Sequence, residues 1–197
     1  MKTILIDIKI LFEIIRCFPH LILFFFHKNK KTIQSDTIRW LYCCKLDYGI
    51  LIGFIYLLSF HREFRSLFYK RVGLLGHILN IFCPKMSTLF IATENIGEGL
   101  FIQHGYSTFI AAKSIGRNCW INQEVTIGYT ATLECPILLD NVTISAGAKV
   151  LGKVIIGNNV IVGANAVVVK SVPDNCVVVG VPAYIIKRNG LKVNEML

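Results

Sequence analysis

The sequence predicts a mainly β chain: a parallel β-helix of six-residue repeats over residues 89–188, preceded by an α-helical region over 1–88 and followed by a short C-terminal tail, 189–197. Three observations carry this reading. Aliphatic residues recur every six positions in the second half. A small or β-branched residue follows most of them four places later. The positive charge sits almost wholly in the first half, with 13 Lys/Arg against 5 Asp/Glu over residues 1–88 and 8 against 7 over 89–197.

The repeat is clearest at Leu138, Ile144, Val150, Ile156, Val162 and Val168, six apart throughout. Ile115, Ile121 and Ile127 form an earlier set, and Ile96 and Ile102 a shorter one. The residues four places on are Cys119, Val125, Val142, Ala148, Val154, Val160, Ala166 and Val172. A helical stripe would have period 3.6, and this Val/Gly/Asn-rich stretch has poor helix propensity. Ordinary alternating strands would have period two. Period six suits a triangular coil with one hexapeptide per side. The aliphatic residue faces inward, the small residue fits where the chain turns, and Gly or Asn takes backbone angles that other residues resist. Three sides make a coil of about 18 residues, and about five coils fit the segment, each burying its inner face on the next. The spacing breaks once in the middle, where Ile127 to Leu138 is eleven positions. Gly128 to Ile137 is therefore expected to leave the coil as a loop, the place where a site would be built.

Residues 1–88 read as helices. Ile4, Ile8, Leu11, Ile15 and Phe18 fall three or four apart, with Asp7, Lys9, Glu13 and Arg16 between them. Pro19 should end or kink that helix. Leu21–Phe26 follows, then the polar linker His27–Lys31, then an apolar run from Tyr48 to Phe60. That run falls short of the ~20 residues needed to cross a bilayer. The plain expectation is a helical subdomain packed on the β-helix or on a partner subunit. The alternative is peripheral docking on the inner membrane face, with basic residues toward anionic lipid. Nucleic-acid binding is excluded because no recognised module surrounds the basic residues.

The seven cysteines are odd in number, without a CxxC pair or metal-like spacing, so no metal is expected and the thiols read as reduced and cytoplasmic. The charges at Asp7, Lys9, Glu13 and Arg16 interrupt what would otherwise start like a signal peptide.

Four segments resemble the hexapeptide-repeat acyltransferases, most closely the serine O-acetyltransferase branch. They are Ile96-Gly97-Glu98-Gly99-Leu100-Phe101-Ile102-Gln103-His104, Val125-Thr126-Ile127-Gly128, Ile144 through Gly152, and Gly180-Val181-Pro182-Ala183. The resemblance covers about residues 89–188. It implies a left-handed parallel β-helix that assembles as a homotrimer or dimer of trimers. It further implies acetyl-CoA as co-substrate in a groove between neighbouring coils, and direct transfer to a small hydroxyl acceptor.

His104 is the one histidine of the repeat region. A neutral imidazole suits general-base work near neutrality, and a hydroxyl attacking a thioester needs such a base. By resemblance, backbone N–H groups around Gly128, Tyr129 and Thr130 would stabilise the oxyanion. Ala146 and Ala164 would leave room for the pantetheine arm, and Lys170 and Lys187 would meet its phosphates. Both lysines also read as plain solvated side chains.

Three positions depart from that branch. Its substrate-side Arg-His pair aligns with Glu134-Cys135, the Asp before its catalytic histidine is Gln103, and its orienting Asp aligns with Leu89. Glu134, Glu124 or a backbone carbonyl would have to hold His104 instead. Cys135 has no histidine beside it in sequence to make it a nucleophile. The expected activity is acetyl-CoA-dependent O-acetyl transfer, with serine as the nearest acceptor, as in cysteine biosynthesis. O-acetylation of a sugar hydroxyl in surface-polysaccharide synthesis is the enzymatic alternative. A β-helical scaffold without catalysis is the third reading.

Overall fold

The computed structural model describes the backbone of residues 2–130 and 133–197, and the side chains of 13–130 and 133–197. The chain divides into two compact units, Met1–Met86 and Ser87–Leu197.

The first unit holds five helices: α1 (Lys2–Phe26), α2 (Lys30–Cys43), α3 (Ile50–Phe60), α4 (Arg62–Val72) and α5 (Leu74–Phe82). Its core is aromatic and aliphatic, with Trp40, Phe54, Leu57, Phe64, Leu67 and Phe68 almost wholly buried. α4 carries Glu63 in its first turn and Lys70 and Arg71 in its last, the polarity the helix dipole favours. It stops at Gly73, whose φ of +62° is a conformation open to glycine, and α5 begins immediately. Arg71 and Asp36 form a buried ion pair at 2.8 Å, and Asn29 donates to the Arg71 carbonyl. The helix expected to end or kink at Pro19 continues through it to Phe26. The lost N–H bond is offset there by burial of Cys17, His20 and Phe24 on either side of the proline. The polar linker is correspondingly shorter than the sequence suggests, His27 to Asn29.

The second unit is a parallel β-solenoid of about five coils. One face stacks β1 (Leu89–Ile91), β4 (Thr108–Ile110), β7 (Thr126–Gly128), β10 (Lys149–Leu151) and β13 (Val167–Val168). The second stacks β2 (Asn95–Ile96), β5 (Ser114–Ile115), β8 (Ile137–Leu138) and β11 (Ile155–Ile156). The third stacks β3 (Phe101–Ile102), β6 (Trp120–Ile121), β9 (Thr143–Ile144), β12 (Ile161–Val162) and β14 (Cys176–Val179). The six-spaced aliphatics are the ladder residues: Ile121 pairs with Ile144, Ile144 with Val162, and Val162 with Val178. Apart from the half-buried Ile96 they are buried, and so are Cys119, Val125, Val142, Ala148, Val160 and Ala166 four places after them. The turning residue is the one before, three places after the aliphatic. Asn118, Asn141, Asn159, Asn165 and Asn175 have φ near +57° there, with Gly99 and Gly147 in the same place. Asn tolerates this left-handed conformation because its short side chain bonds locally.

The break expected between Ile127 and Leu138 lies between β7 and β8, but Gly128 and Ile137, expected in the loop, end β7 and begin β8. A second break was not anticipated. Ile102 to Ile110 is eight positions, and the extra residues form a turn over Gln103–Ser107. The tail of residues 189–197 is not loose either. β15 (Tyr184–Arg188) and β16 (Leu191–Met196) continue the third face antiparallel to β14, and Arg188 pairs with Glu195.

Candidate active site

His104 sits at the tip of the unanticipated turn. Its φ is +66°, and the Gln103 carbonyl accepts the Gly105 N–H at 2.9 Å, closing a tight three-residue turn around it. Such turns are rare and strained, and non-glycine strain of this kind collects at functional positions. The imidazole is exposed and, among the described residues, has no hydrogen-bond partner.

The corner after the third face organises the surroundings. The N–H of Gly147 bonds the Gln123 carbonyl, and that of Asn165 bonds the Ala146 carbonyl. Gln123, Ala146 and Ala164 therefore occupy equivalent places in successive coils. In the first coil Tyr106 takes that place, since its carbonyl receives the Glu124 N–H, and the extra residues, His104 among them, form the turn just before it. Coils repeat about every 4.8 Å. Ala146 and Ala164 thus lie roughly 10 and 14 Å along the axis from the His104 coil, on the same edge. Each presents only a methyl group, so an extended chain could lie against the backbone between them.

Gln103 Oε1 accepts the Trp120 indole N–H at 3.2 Å, which leaves its amide N–H pair free, and Trp120 stacks edge-on against Phe101. Asn122 Oδ1 and Gln123 Oε1 are buried without a hydrogen-bond partner. Buried acceptors of this kind are costly unless an ordered water or a ligand supplies the donor. Sequence reasoning passed over Asn122, Gln123 and Trp120. The one signal was two consecutive amides directly after a core aliphatic, Ile121.

The second group of expected site residues lies elsewhere on the protomer. Gly128 ends β7 on the first face and Tyr129 and Thr130 follow it, at the edge across that face from His104. A side of about five residues at 3.3 Å each puts the two edges roughly 15 Å apart. Gly128 is buried, with its carbonyl accepting the Gly152 N–H, while Tyr129 and Thr130 are exposed. Glu134 and Cys135 lie further along this loop beside an open depression of about 380 Å³ lined also by Lys113, Ile137, Lys153 and Ile155. Glu134 forms an ion pair with Lys153 at 2.8 Å, and the adjacent carboxylate raises the Lys153 ammonium above its ordinary value. Glu134 is therefore engaged away from His104. Cys135 is a free, half-buried thiol 3.9 Å from the Leu133 carbonyl. Lys170 donates to the Leu197 carbonyl at 2.5 Å, and Lys187 is exposed on β15. One protomer thus brings His104, Gln103, Ala146 and Ala164 to one edge and leaves Gly128–Thr130, Glu134 and Cys135 at another.

Comparison with known proteins agrees with this architecture. The family described as bacterial transferase hexapeptide (six repeats) matches residues 136–170. A serine acetyltransferase of Synechococcus elongatus is 37% identical over 103 residues, 48% of this chain and 41% of that protein. One from Staphylococcus aureus is 46% identical over 63 residues, 30% of each chain. The chain thus spans less than half the length of these curated relatives. Among solved structures, the serine acetyltransferase of Neisseria gonorrhoeae superimposes with a TM-score of 0.66 at 27% identity, over 88% of this chain and 70% of that one. The Brucella abortus serine acetyltransferase in complex with coenzyme A gives 0.64 at 25% identity, over 81% and 68%. Repeat, relatives and fold agree: this is a hexapeptide-repeat solenoid protein that resembles the serine acetyltransferases in sequence and in fold.

Proposed function

We propose that the chain is an acetyl-CoA-dependent O-acetyltransferase in which His104 is the general base. The observation that carries this is the shared edge: a strained turn holds an exposed imidazole above a line of small residues, Ala146 and Ala164. The base takes the proton of an acceptor hydroxyl, whose oxygen attacks the thioester carbonyl. Collapse of the tetrahedral oxyanion releases the thiol, and the imidazolium returns the proton to it. The backbone N–H groups after Gly128 are the proposed oxyanion donors. Since they lie across a face from His104, the complete site requires the Gly128–Thr130 segment of a neighbouring protomer, which supports a homotrimer. Lys170 and Lys187 are proposed to meet the phosphates of the donor.

Serine is the acceptor suggested by likeness, since one Neisseria gonorrhoeae structure is a serine acetyltransferase in complex with serine, at 27% identity and a TM-score of 0.63 over 80% of this chain. A second reading rests on the acceptor side of this chain itself. Gln103 offers a neutral amide, Glu134 is an acid tied to Lys153, and Asn122 and Gln123 hold unpartnered carbonyl oxygens. These groups suit the many neutral hydroxyls of a sugar better than a carboxylate and an ammonium.

Thiol release from acetyl-CoA across L-serine, glycosyl acceptors and water separates the readings. Turnover with serine supports the first acceptor, and turnover restricted to sugars supports the second. No turnover with any acceptor, together with no coenzyme A binding by calorimetry, overturns the enzyme reading.

A further inference from the structure

The helical unit carries an apolar surface that its own packing does not use. α1 buries Cys17, His20 and Phe24. On its other side Ile14, Ile15, Phe18, Ile22, Phe25 and Phe26 are exposed, Ile15 at 77% and Phe26 at 81%. At 3.6 residues per turn these six positions fall within an arc of about 120°, opposite the buried one. Helix α5 repeats the arrangement. Gly76 and Leu79 are buried, while Leu74, Leu75, Ile78, Ile81 and Phe82 are exposed over a similar arc, Leu74 at 84%.

The two helices are neighbours, and both rest on Tyr69 of α4. The buried Tyr69 hydroxyl lies 2.9 Å from His20 Nε2 of α1 and donates to the Cys83 carbonyl just past α5 at 2.6 Å. Their buried sides therefore meet at one point, and their apolar arcs face away from it. A globular unit rarely exposes so many large apolar side chains together without a binding role.

What surrounds this face indicates what covers it. The exposed arc of α1 ends in Phe25-Phe26, followed by the exposed Lys28, Lys30 and Lys31. Aromatic rings at the rim of an apolar face with lysines beyond them are the pattern of a helix lying in a membrane interface. Over residues 1–86 there are 13 Lys/Arg and 5 Asp/Glu. Two copies of so basic a unit repel when brought face to face, whereas an anionic bilayer attracts it. None of the described helices is long and apolar enough to cross a membrane, so the arrangement fits helices lying on it.

We propose that the exposed apolar face of α1 and α5 is a docking surface for an anionic lipid bilayer, with both helices in the plane of the interface and Lys28, Lys30 and Lys31 on the headgroups. The surface would hold the solenoid beside a membrane. The inference does not depend on the acetyltransferase reading.

The test is co-sedimentation of the full chain with vesicles of phosphatidylglycerol and phosphatidylcholine, against vesicles of phosphatidylcholine alone. Ile15→Asp/Phe18→Asp and Ile78→Asp/Ile81→Asp alter exposed positions on each helix, and Lys28→Ser/Lys30→Ser/Lys31→Ser leaves the apolar arcs intact. Circular dichroism checks that each variant folds. The expected result is binding to the anionic vesicles that falls at least about tenfold in either Asp pair. In the lysine variant it falls several-fold and loses most of its salt dependence. Absence of vesicle binding by the unaltered chain overturns the proposal. So does binding that the Asp pairs leave unchanged, or Asp pairs that change only the oligomeric state in sedimentation velocity, which would assign the face to a second copy.

Discussion

Gln103 and Trp120 are joined side chain to side chain across two coils, the indole N–H donating to Gln103 Oε1 at 3.2 Å. The bond occupies the amide oxygen of the residue directly before His104, which leaves its N–H pair for the proposed acceptor. Trp120→Phe keeps the ring against Phe101 and removes the donor. The expected outcome in steady-state kinetics is a several-fold rise in acceptor KM, with kcat and the KM for acetyl-CoA little changed.

Ala164 is exposed on the proposed donor edge, so a larger side chain there would not disturb the core. Ala164→Phe is expected to weaken coenzyme A binding at least about tenfold in calorimetry while the melting temperature stays within a few degrees. Undiminished binding would remove this edge from the donor site.

Glu124 occupies the left-handed turn position, with φ +60°, that Asn118, Asn141, Asn159 and Asn165 occupy in other repeats. Its backbone there costs about 1 kcal/mol that Asn largely avoids. Glu124→Asn is therefore expected to stabilise the chain by about 0.5–1 kcal/mol in denaturant unfolding.

These turns also show how far the sequence reaches. Six-residue spacing is legible because inward residues such as Ile144 and Val162 must repeat with the coil, and Asn marks the corner because few residues accept positive φ. The His104 turn was not legible as an insertion. Ile102 to Ile115 is thirteen positions, one more than two repeats, and such a gap is easily read as two unrelated sets. The stripe containing Ile15 and Phe18 was legible as a helix face, but periodicity alone does not say which face is buried, and here both residues are exposed. The β15–β16 hairpin depends on pairing with β14, a tertiary effect that local propensity does not report. The proposed joining of His104 with Gly128–Thr130 draws on a second protomer, which spacing within one chain does not report.

Asp140 closes a different corner. Its Oδ1 accepts the Arg117 backbone N–H at 2.7 Å, and its Oδ2 accepts the guanidinium at 2.9 Å. Asp174 does the same for Asn158, taking the side-chain amide and the backbone N–H. These donors hold both carboxyls below the usual carboxylate range. A depressed folded-state pKa contributes stability that is present above the unfolded value and lost as pH falls through the folded one. The melting temperature should therefore drop as pH is lowered below about 4. Asp140→Asn keeps the backbone acceptor, so its difference from the unaltered chain should shrink over that range.

The buried Asp36–Arg71 pair anchors α2 to α4. Asp36→Ala leaves the guanidinium buried without its carboxylate, and the expected loss is about 3–5 kcal/mol in denaturant unfolding. A loss under about 1 kcal/mol would show that the pair is readily rehydrated.

His104, held in its strained turn, is the proposed base for acetyl transfer. The direct measurement is acceptor-dependent thiol release from acetyl-CoA by His104→Ala, with coenzyme A binding measured on the same preparation. The expected result is a fall in kcat of about 10²–10⁴-fold with coenzyme A affinity unchanged. Turnover within a few-fold of the unaltered chain would contradict it.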